Sequence, residues 1–349
     1  MSPAAPAPPR VTVLGLGGTI AMTASDTGGV VPALTVADLV AAIPGLAETG
    51  IAVDAVSYRT HPGASLTLGD LTDVAEAIRQ STDSGATGVV ITQGTDTIEE
   101  TAYLLHLLHP GSQPVVVTGA MRNPTLAGPD GPANLLAAIT VAASPTARER
   151  GVLVVMADEI HAADRVRKTH STSTGAFTSP TGGPVGYLVE GQPRFVSPAP
   201  PRHVLPAPVH RPRIGLYTAT LGDDGTSLPA IAAQLDGLVI AGFGVGHVPD
   251  TWVATLTALA QTIPVVLASR TGAGPVLTST YGFPGSERDL TNRGLIPAGF
   301  LDPYKARLLL HLTLAAGATT HEAAQAFRAT ANPDEPWPWP TPATTMPRT

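Results

Sequence analysis

Val89-Val90-Ile91-Thr92-Gln93-Gly94-Thr95-Asp96-Thr97-Ile98-Glu99-Glu100-Thr101 places an apolar run, a polar turn and a helix start in direct succession. A short β-branched run that stops at a glycine turn reads as a buried strand, and Thr97–Leu108 reads as the helix that follows. Working outward, the same alternation recurs. Val11–Leu14 reads as a strand ending in the turn Gly15-Leu16-Gly17-Gly18, and Leu34–Ile43 as a helix opened by Thr35. Val115–Thr118 and Val152–Met156 read as strands on either side of a helix over Asn134–Ala143. From Gly191 to Pro212 prolines accumulate, which suits an extended linker. Strands at Ile214–Tyr217, Leu238–Ile240 and Val265–Leu267 then alternate with helices at Trp252–Gln261 and Pro303–Ala316, and Ala323–Thr330 closes the fold. The fold class predicted is α/β, with two doubly wound domains of mainly parallel sheet, the larger one N-terminal and the smaller C-terminal. The boundaries predicted are 1–10 for a flexible N-terminus, 11–190 for the catalytic domain, 191–212 for the linker, 213–332 for the C-terminal domain and 333–349 for a mobile Pro/Thr-rich tail.

With 349 residues the chain suits two domains, and 43% hydrophobic residues can fill their cores. Charged residues are sparse at 13% and the net charge is −7, which argues against nucleic acid and for a small-molecule partner. No cysteine is present, so disulfides, thiolate nucleophiles and cysteine-based metal sites are excluded. Residues 1–10 lack the basic start and apolar run of a signal peptide, and no stretch approaches the length of a membrane span. The expectation is a soluble cytoplasmic protein without membrane contact, a trimmed leader being compatible with the same sequence. Lys168 and Lys305 are the only lysines in a chain whose other basic residues are arginine. Arginine serves where charge alone is needed, so a retained amine, which can give up its proton, draws notice.

Ligands of such sheets sit beyond the carboxyl ends of the strands. The first strand end carries Gly17-Gly18-Thr19, where glycines bring Thr19 to the loop side; a plain turn in which Thr19 caps backbone fits as well. The dinucleotide fingerprint fails there, because Ile20 stands where the third glycine belongs. At the second, Thr97 with Glu100 fits a capping box, leaving Gly94-Thr95-Asp96 to present a hydroxyl and a carboxylate beside a helix N-terminus. The third runs from Asp158-Glu159-Ile160 to Asp164-Arg165-Val166-Arg167-Lys168-Thr169; such a loop is ordinarily solvated surface, but an amine beside a Thr–Asp pair can serve as base for the hydroxyl.

At these residues the sequence resembles the bacterial-type L-asparaginase family, with asparaginase/glutaminases as its nearest functional variants. Gly17 to Ala21 resembles the family's first threonine motif, and Thr92 to Thr101 its second, with Gln93 where histidine is commoner. Thr118 to Arg122 with Asp130 to Leu135 resembles a core segment, and Asp164 to Thr169 the catalytic lysine loop. The resemblance implies a cofactor-free hydrolase of the L-asparagine side-chain amide. In it Thr19 is the nucleophile, Thr95, Asp96 and Lys168 form a second triad, and Asp96 takes the substrate amino group. Gly63-Ala64-Ser65 receives the α-carboxylate, Gly94 belongs to the substrate-binding set, and backbone N–H groups near Thr95 and Ala120 form the oxyanion hole. It also implies a homotetramer of intimate dimers, with Glu287 reaching a neighbour's substrate amino group. Two departures stand out. Thr23 to Leu34 has no tyrosine, only Val30 and Val31, where the family places an activating one, so Tyr281 of a neighbour or relay through Lys168 would substitute. His247 stands where the family often has asparagine.

Other readings compete. His106 and His109, three apart on a helix, imitate metal ligands, but no acidic partner is spaced nearby and no metal is expected. Trp337 and Trp339 alternate with prolines and suit packing of the tail. A nucleotide-binding oxidoreductase and a catalytically silent amino-acid-binding homologue remain as rival functions. One methylene separates asparagine from glutamine, worth about 1–3 kcal/mol in an apolar pocket, so the sequence ranks neither first.

Overall fold

Residues 7–18, 20 and 34–340 are described by the computed structural model, together with the backbone of 22–24 and 30–32. They fall into two compact units, Met1–Arg202 and His203–Thr349. In the first, the chain runs through β1 (Arg10–Gly15), the short hairpin β2 (Met22–Ala24) and β3 (Val30–Pro32), α1 (Val36–Ala41), β4 (Ala52–Ser57), α2 (Leu68–Asp83) and β5 (Gly88–Thr92). It continues through α3 (Ile98–Leu108), β6 (Val115–Thr118), α4 (Gly131–Ala143) and β7 (Val152–Met156). β8 (Glu159–Ala162), the two-residue strands β9 (Arg167–Lys168) and β10 (Phe177–Thr178), β11 (Gly186–Val189) and β12 (Gln192–Phe195) complete it.

The main sheet has the order β12-β11-β8-β7-β6-β5-β1-β4. From β4 to β7 neighbouring strands are parallel, and from β7 to β12 antiparallel. The continuous apolar runs of β5, β6 and β7 are buried throughout, as strands covered on both faces must be. One covering layer is α4, whose small residues bring it close: a Cβ on Gly88 would lie 2.1 Å from the Ala142 carbonyl oxygen. Leu135, Ile139 and Ala142 share its core with Val13, Val90 and Val155. On the other side lie α2 and α3. Thr35 opens α1 and Thr67 opens α2, each in a reciprocal capping box with the aspartate three residues on.

Two tight turns build the antiparallel end. Ala157 and Asp158 take φ of 50° and 62° between β7 and β8, and Glu190 and Gly191 take 51° and 70° between β11 and β12. Paired positive φ angles give the turn whose twist matches antiparallel strands. The second turn corrects the predicted linker, since Gln192–Phe195 is an edge strand and not the start of an extended connection. Its Pro193 is tolerated because an edge position can spare an N–H.

In the second unit β13 (Ile214–Thr218), α5 (Leu228–Ala232), β14 (Gly237–Gly242), α6 (Val253–Ala260), β15 (Val265–Ser269), α7 (Glu287–Asn292), β16 (Ile296–Pro297), α8 (Pro303–Ala315) and α9 (Thr320–Ala331) follow in order. The four strands pair in sequence, all parallel, around a core of Leu238, Ile240, Trp252, Leu256 and Leu267. The segment after Asn332, predicted mobile, is docked as far as Pro340: the Trp337 indole N–H donates to the Val204 carbonyl at 2.9 Å, and its ring stacks on His203. Residues 341–349 lie outside the described residues.

His106 and His109 are tied to backbone. The Val152 N–H donates to His106 Nδ1 at 3.3 Å, and His109 Nε2 meets the Gln113 carbonyl at 2.9 Å. Burial pushes the His109 imidazole down to about 4 against the opposing Gln113 hydrogen bond, and the Arg202 guanidinium adds to the depression. With the folded pKa below the ordinary value of about 6.5, the unfolded chain takes up the proton first, so stability present at neutral pH is lost as pH falls from about 6.5 toward 4. The loss expected from His109 is about 2–3 kcal/mol. Urea melts at about pH 7 and pH 4.5 measure it, and the difference between them shrinks in His109→Gln.

Candidate functional site

The loops leaving β1, β4, β5 and β6 converge because their backbones touch. Gly18 sits at φ 94°, and a Cβ there would lie 2.1 Å from the Gly94 nitrogen. On the far side of Gly94 stands Gly63: a Cβ on Gly94 would be 3.0 Å from the Gly63 nitrogen. Hydrogen bonds from Leu16 N–H to the Thr92 carbonyl and from Gln93 N–H to the Thr118 carbonyl carry the strand register into these turns.

Past Gly94 the chain makes one 3-10 turn, Thr95–Thr97, before α3 begins. Thr95 is buried at its base while the Asp96 side chain remains 64% exposed. Lys168 reaches both from β9, donating from Nζ to Thr95 Oγ1 at 2.9 Å and to Asp96 Oδ1 at 3.2 Å. An ammonium this close to a hydroxyl oxygen favours negative charge on that oxygen. The lysine is itself held: its backbone N–H donates to Glu99 Oε2 at 3.3 Å, in the first turn of α3 and four residues on from Thr95. Sequence reasoning passed over Glu99, although its spacing of four from Thr95 puts it on the same side of the chain.

The predicted capping box at Thr97 is absent, for the helix receives no side-chain cap there. The Thr97 hydroxyl instead donates to the Gly63 carbonyl at 3.1 Å and accepts from Gln93 Nε2 at 3.2 Å. Gln93 is fully buried, and its amide also donates to the Gly94 carbonyl. Gly63, Ala64 and Ser65 form one short turn, with Gly63 buried and Ala64 and Ser65 open to solvent. Ala120 is buried in the loop after β6. That loop is shaped by Asp130, which accepts from the Met121 and Arg122 N–H groups, and by Asn134, which donates to the Gly119 carbonyl and accepts from the Ala157 N–H. The loops after β6 and β7 are thereby stitched together.

Thr19 lies outside the described residues, as do the side chains of Val30 and Val31. Its neighbours are placed: Gly18 against Gly94, and Ile20 buried beside Gly131. Among the described residues no group of three or more histidine, aspartate or glutamate side chains is arranged to hold a metal.

Glu287 belongs to the second unit and is turned inward, with no exposed surface. Its Oε1 accepts from the Thr280 and Tyr281 N–H groups at 3.0 and 2.8 Å, and Oε2 lies 3.1 Å from His247 Nε2. Burial pushes this carboxyl up, but the N–H donors and the His247 ring outweigh it and hold it below its ordinary value. Within the single chain, the carboxylate expected to reach a neighbour's ammonium is engaged by the Thr280 and Tyr281 N–H groups and by His247. Glu287 fixes a loop on which His247 packs edge-on against Tyr281 and Phe283, both rings substantially exposed.

Residues 10–201 match the asparaginase N-terminal family, and residues 213–327 match the glutaminase/asparaginase C-terminal domain. A probable L-asparaginase of Deinococcus radiodurans is 37% identical, covering 91% of this chain and 97% of its own. L-asparaginase 2 of Escherichia coli is 34% identical over 90% and 91% of the two chains. Among solved structures, a probable cytoplasmic L-asparaginase from Campylobacter jejuni superposes with a TM-score of 0.79 at 31% identity, covering 92% of this chain and 99% of that one.

The two lysines sit in different settings. Lys168 pairs with an exposed carboxylate, whereas Lys305 has no exposed surface and donates at 2.8 Å to Asp302, itself 8% exposed. Removing one member of a buried pair strands the other charge. Lys305→Met is expected to cost about 3 kcal/mol, near the low end for such pairs because the Tyr304 and Lys305 N–H groups still bind Asp302. Lys168→Met is expected to cost less than Lys305→Met, because the partner it leaves behind, Asp96, is 64% exposed and stays solvated. Urea denaturation of both variants measures the contrast, and equal losses would contradict it.

Proposed function

The chain belongs to the asparaginase family, and we propose that it hydrolyses the side-chain amide of L-asparagine to L-aspartate and ammonia, with Thr19 as nucleophile. What supports this reading most is the Lys168–Thr95–Asp96 cluster, with Nζ 2.9 Å from Thr95 Oγ1, on a turn packed against the glycine that precedes Thr19. In the reaction, Thr19 Oγ attacks the amide carbon, the carbonyl oxygen gains negative charge, and the bond to nitrogen breaks as ammonia departs with a proton. Water then attacks the ester, and Thr19 leaves with its hydrogen restored. Thr95 and Lys168 carry the protons, and backbone N–H groups near Thr95 and Ala120 stabilise the oxyanion. The Gly63-Ala64-Ser65 turn takes the α-carboxylate, and the exposed Asp96 carboxylate takes the α-amino group. A weaker glutaminase activity and residence in the cytoplasm belong to the same proposal.

The test is release of ammonia from L-asparagine. Thr19→Ala, Thr95→Val and Lys168→Met are each expected to lower turnover by at least about a hundredfold while the protein stays folded. A wild-type protein that binds L-aspartate and releases no ammonia would be a silent binding homologue, and a Thr19→Ala variant with near-wild-type turnover would remove the nucleophile assignment.

The proposal extends to assembly as a homotetramer of intimate dimers with sites shared between subunits. The exposed Tyr281 and Phe283 rings on the loop held by Glu287 support it, since aromatic side chains are enriched where protein surfaces meet. If that loop completes a neighbour's site, inactive Thr19→Ala and Glu287→Ala subunits complement each other. Hybrids confirmed by mass are expected to recover part of the wild-type activity, and a fully active monomer at high dilution would overturn shared sites.

A further inference from the structure

We infer that Thr97 is a positioning residue, whose hydroxyl locks the Gly63–Ser65 turn to the Gly94–Asp96 turn and so sets the spacing between the turn that receives the substrate's α-carboxylate and the turn beside which its amide is held. The inference rests on the proposed hydrolysis of L-asparagine and deepens it.

A threonine at the first turn of a helix ordinarily spends its hydroxyl on the helix's free N–H groups. Thr97 does not: with φ −126° and ψ 15° it leaves α3 without a side-chain cap. Its hydroxyl proton goes to the carbonyl of Gly63, 34 residues away, at 3.1 Å. The lone pair left over is taken by Gln93 Nε2 at 3.2 Å. The orientation of that amide follows from chemistry, because the same nitrogen lies 3.3 Å from the Gly94 carbonyl and only a donor satisfies both contacts. Gln93, Thr97 and Gly63 thus form a directed chain of hydrogen bonds from a fully buried side chain to the backbone of the turn proposed to grip the α-carboxylate.

The direction matters because the two turns otherwise meet through glycine. Gly63 and Gly94 touch backbone to backbone, a contact that fixes how closely they approach but resists sliding weakly. One hydrogen bond at right chemistry and fixed length supplies the missing restraint. Substrate gripped at one end by the first turn and at the other beside the second is bound tightly only while the two turns keep their register.

The expected signature is a change in substrate affinity more than in the chemical step. Thr97→Val keeps the shape and removes the hydroxyl, and KM for L-asparagine is expected to rise about tenfold with kcat within about threefold of wild type. Affinity for L-aspartate, measured by calorimetry and independent of turnover, is expected to fall in parallel. Thr97→Ser restores the hydroxyl and is expected to bring both values back to within about threefold. If Thr97→Val does not melt cooperatively, Gln93→Met carries the test through loss of the donor that orients the hydroxyl, with KM raised about threefold. Wild-type KM and L-aspartate affinity in a folded Thr97→Val, or a fall in kcat at unchanged KM, overturns the inference while the proposed function stands. A wild-type protein that neither cleaves L-asparagine nor binds L-aspartate overturns both.

Discussion

The site depends on a contact that no side chain could make. Gly18, Gly94 and Gly63 bring three turns from three strand ends into backbone-to-backbone contact, and a single methyl group at Gly18 would meet the Gly94 nitrogen at 2.1 Å. Everything else at the strand ends is arranged around that stack. Thr95 and Asp96 follow directly from its middle layer, Thr97 bonds to its outer one, and the inner one leads into the residue proposed as nucleophile. Backbone in contact with backbone has no rotamers to lose, so the polar groups beside it are placed by the sheet and not by flexible side chains.

Helix α3 is the second organising element. The 3-10 turn that leads into it supplies Thr95 and Asp96, and its first turn supplies Glu99; between them they engage Lys168 through both its amine and its backbone N–H. The lysine loop consequently need not be rigid by itself, since the short pairing of β9 with β10 is supplemented by a carboxylate on a buried helix. Polar residues used in this way give up roles they would otherwise play in stability, as the uncapped start of α3 illustrates.

Much of this was legible in the sequence, for definite reasons. Strands such as Val115–Thr118 and Val152–Met156 are buried on both faces and announce themselves as unbroken apolar runs. β4 does not, because an edge strand is half exposed and Ala52–Ser57 carries no such run. Helix α2 carries a quieter signal, in which Leu71, Val74 and Ile78 follow helical spacing after the Thr67–Asp70 box. The glycine turns and the Thr95, Asp96 and Lys168 cluster were visible as chemistry at strand ends. Thr97 reads as a helix cap because a capping box and a long-range clasp use the same residue types, and only the position of Gly63 decides between them. The inward turn of Glu287 likewise depends on Thr280, Tyr281 and His247 meeting it in space.

The edge strands have a consequence for how the molecule behaves in a crowded solution. An eight-stranded sheet presents a row of unpaired backbone groups at each end, which invites another chain to add on and propagate aggregates. At one end β12 is only four residues long and its Pro193, buried itself, leaves a gap in the row of N–H donors; at the other, Asp54 sits in the open on β4 with Arg10 beside it, so a joining strand would have to strip water from an ion pair. The proline that imitates a linker in the sequence thus acts as a guard against uncontrolled sheet growth.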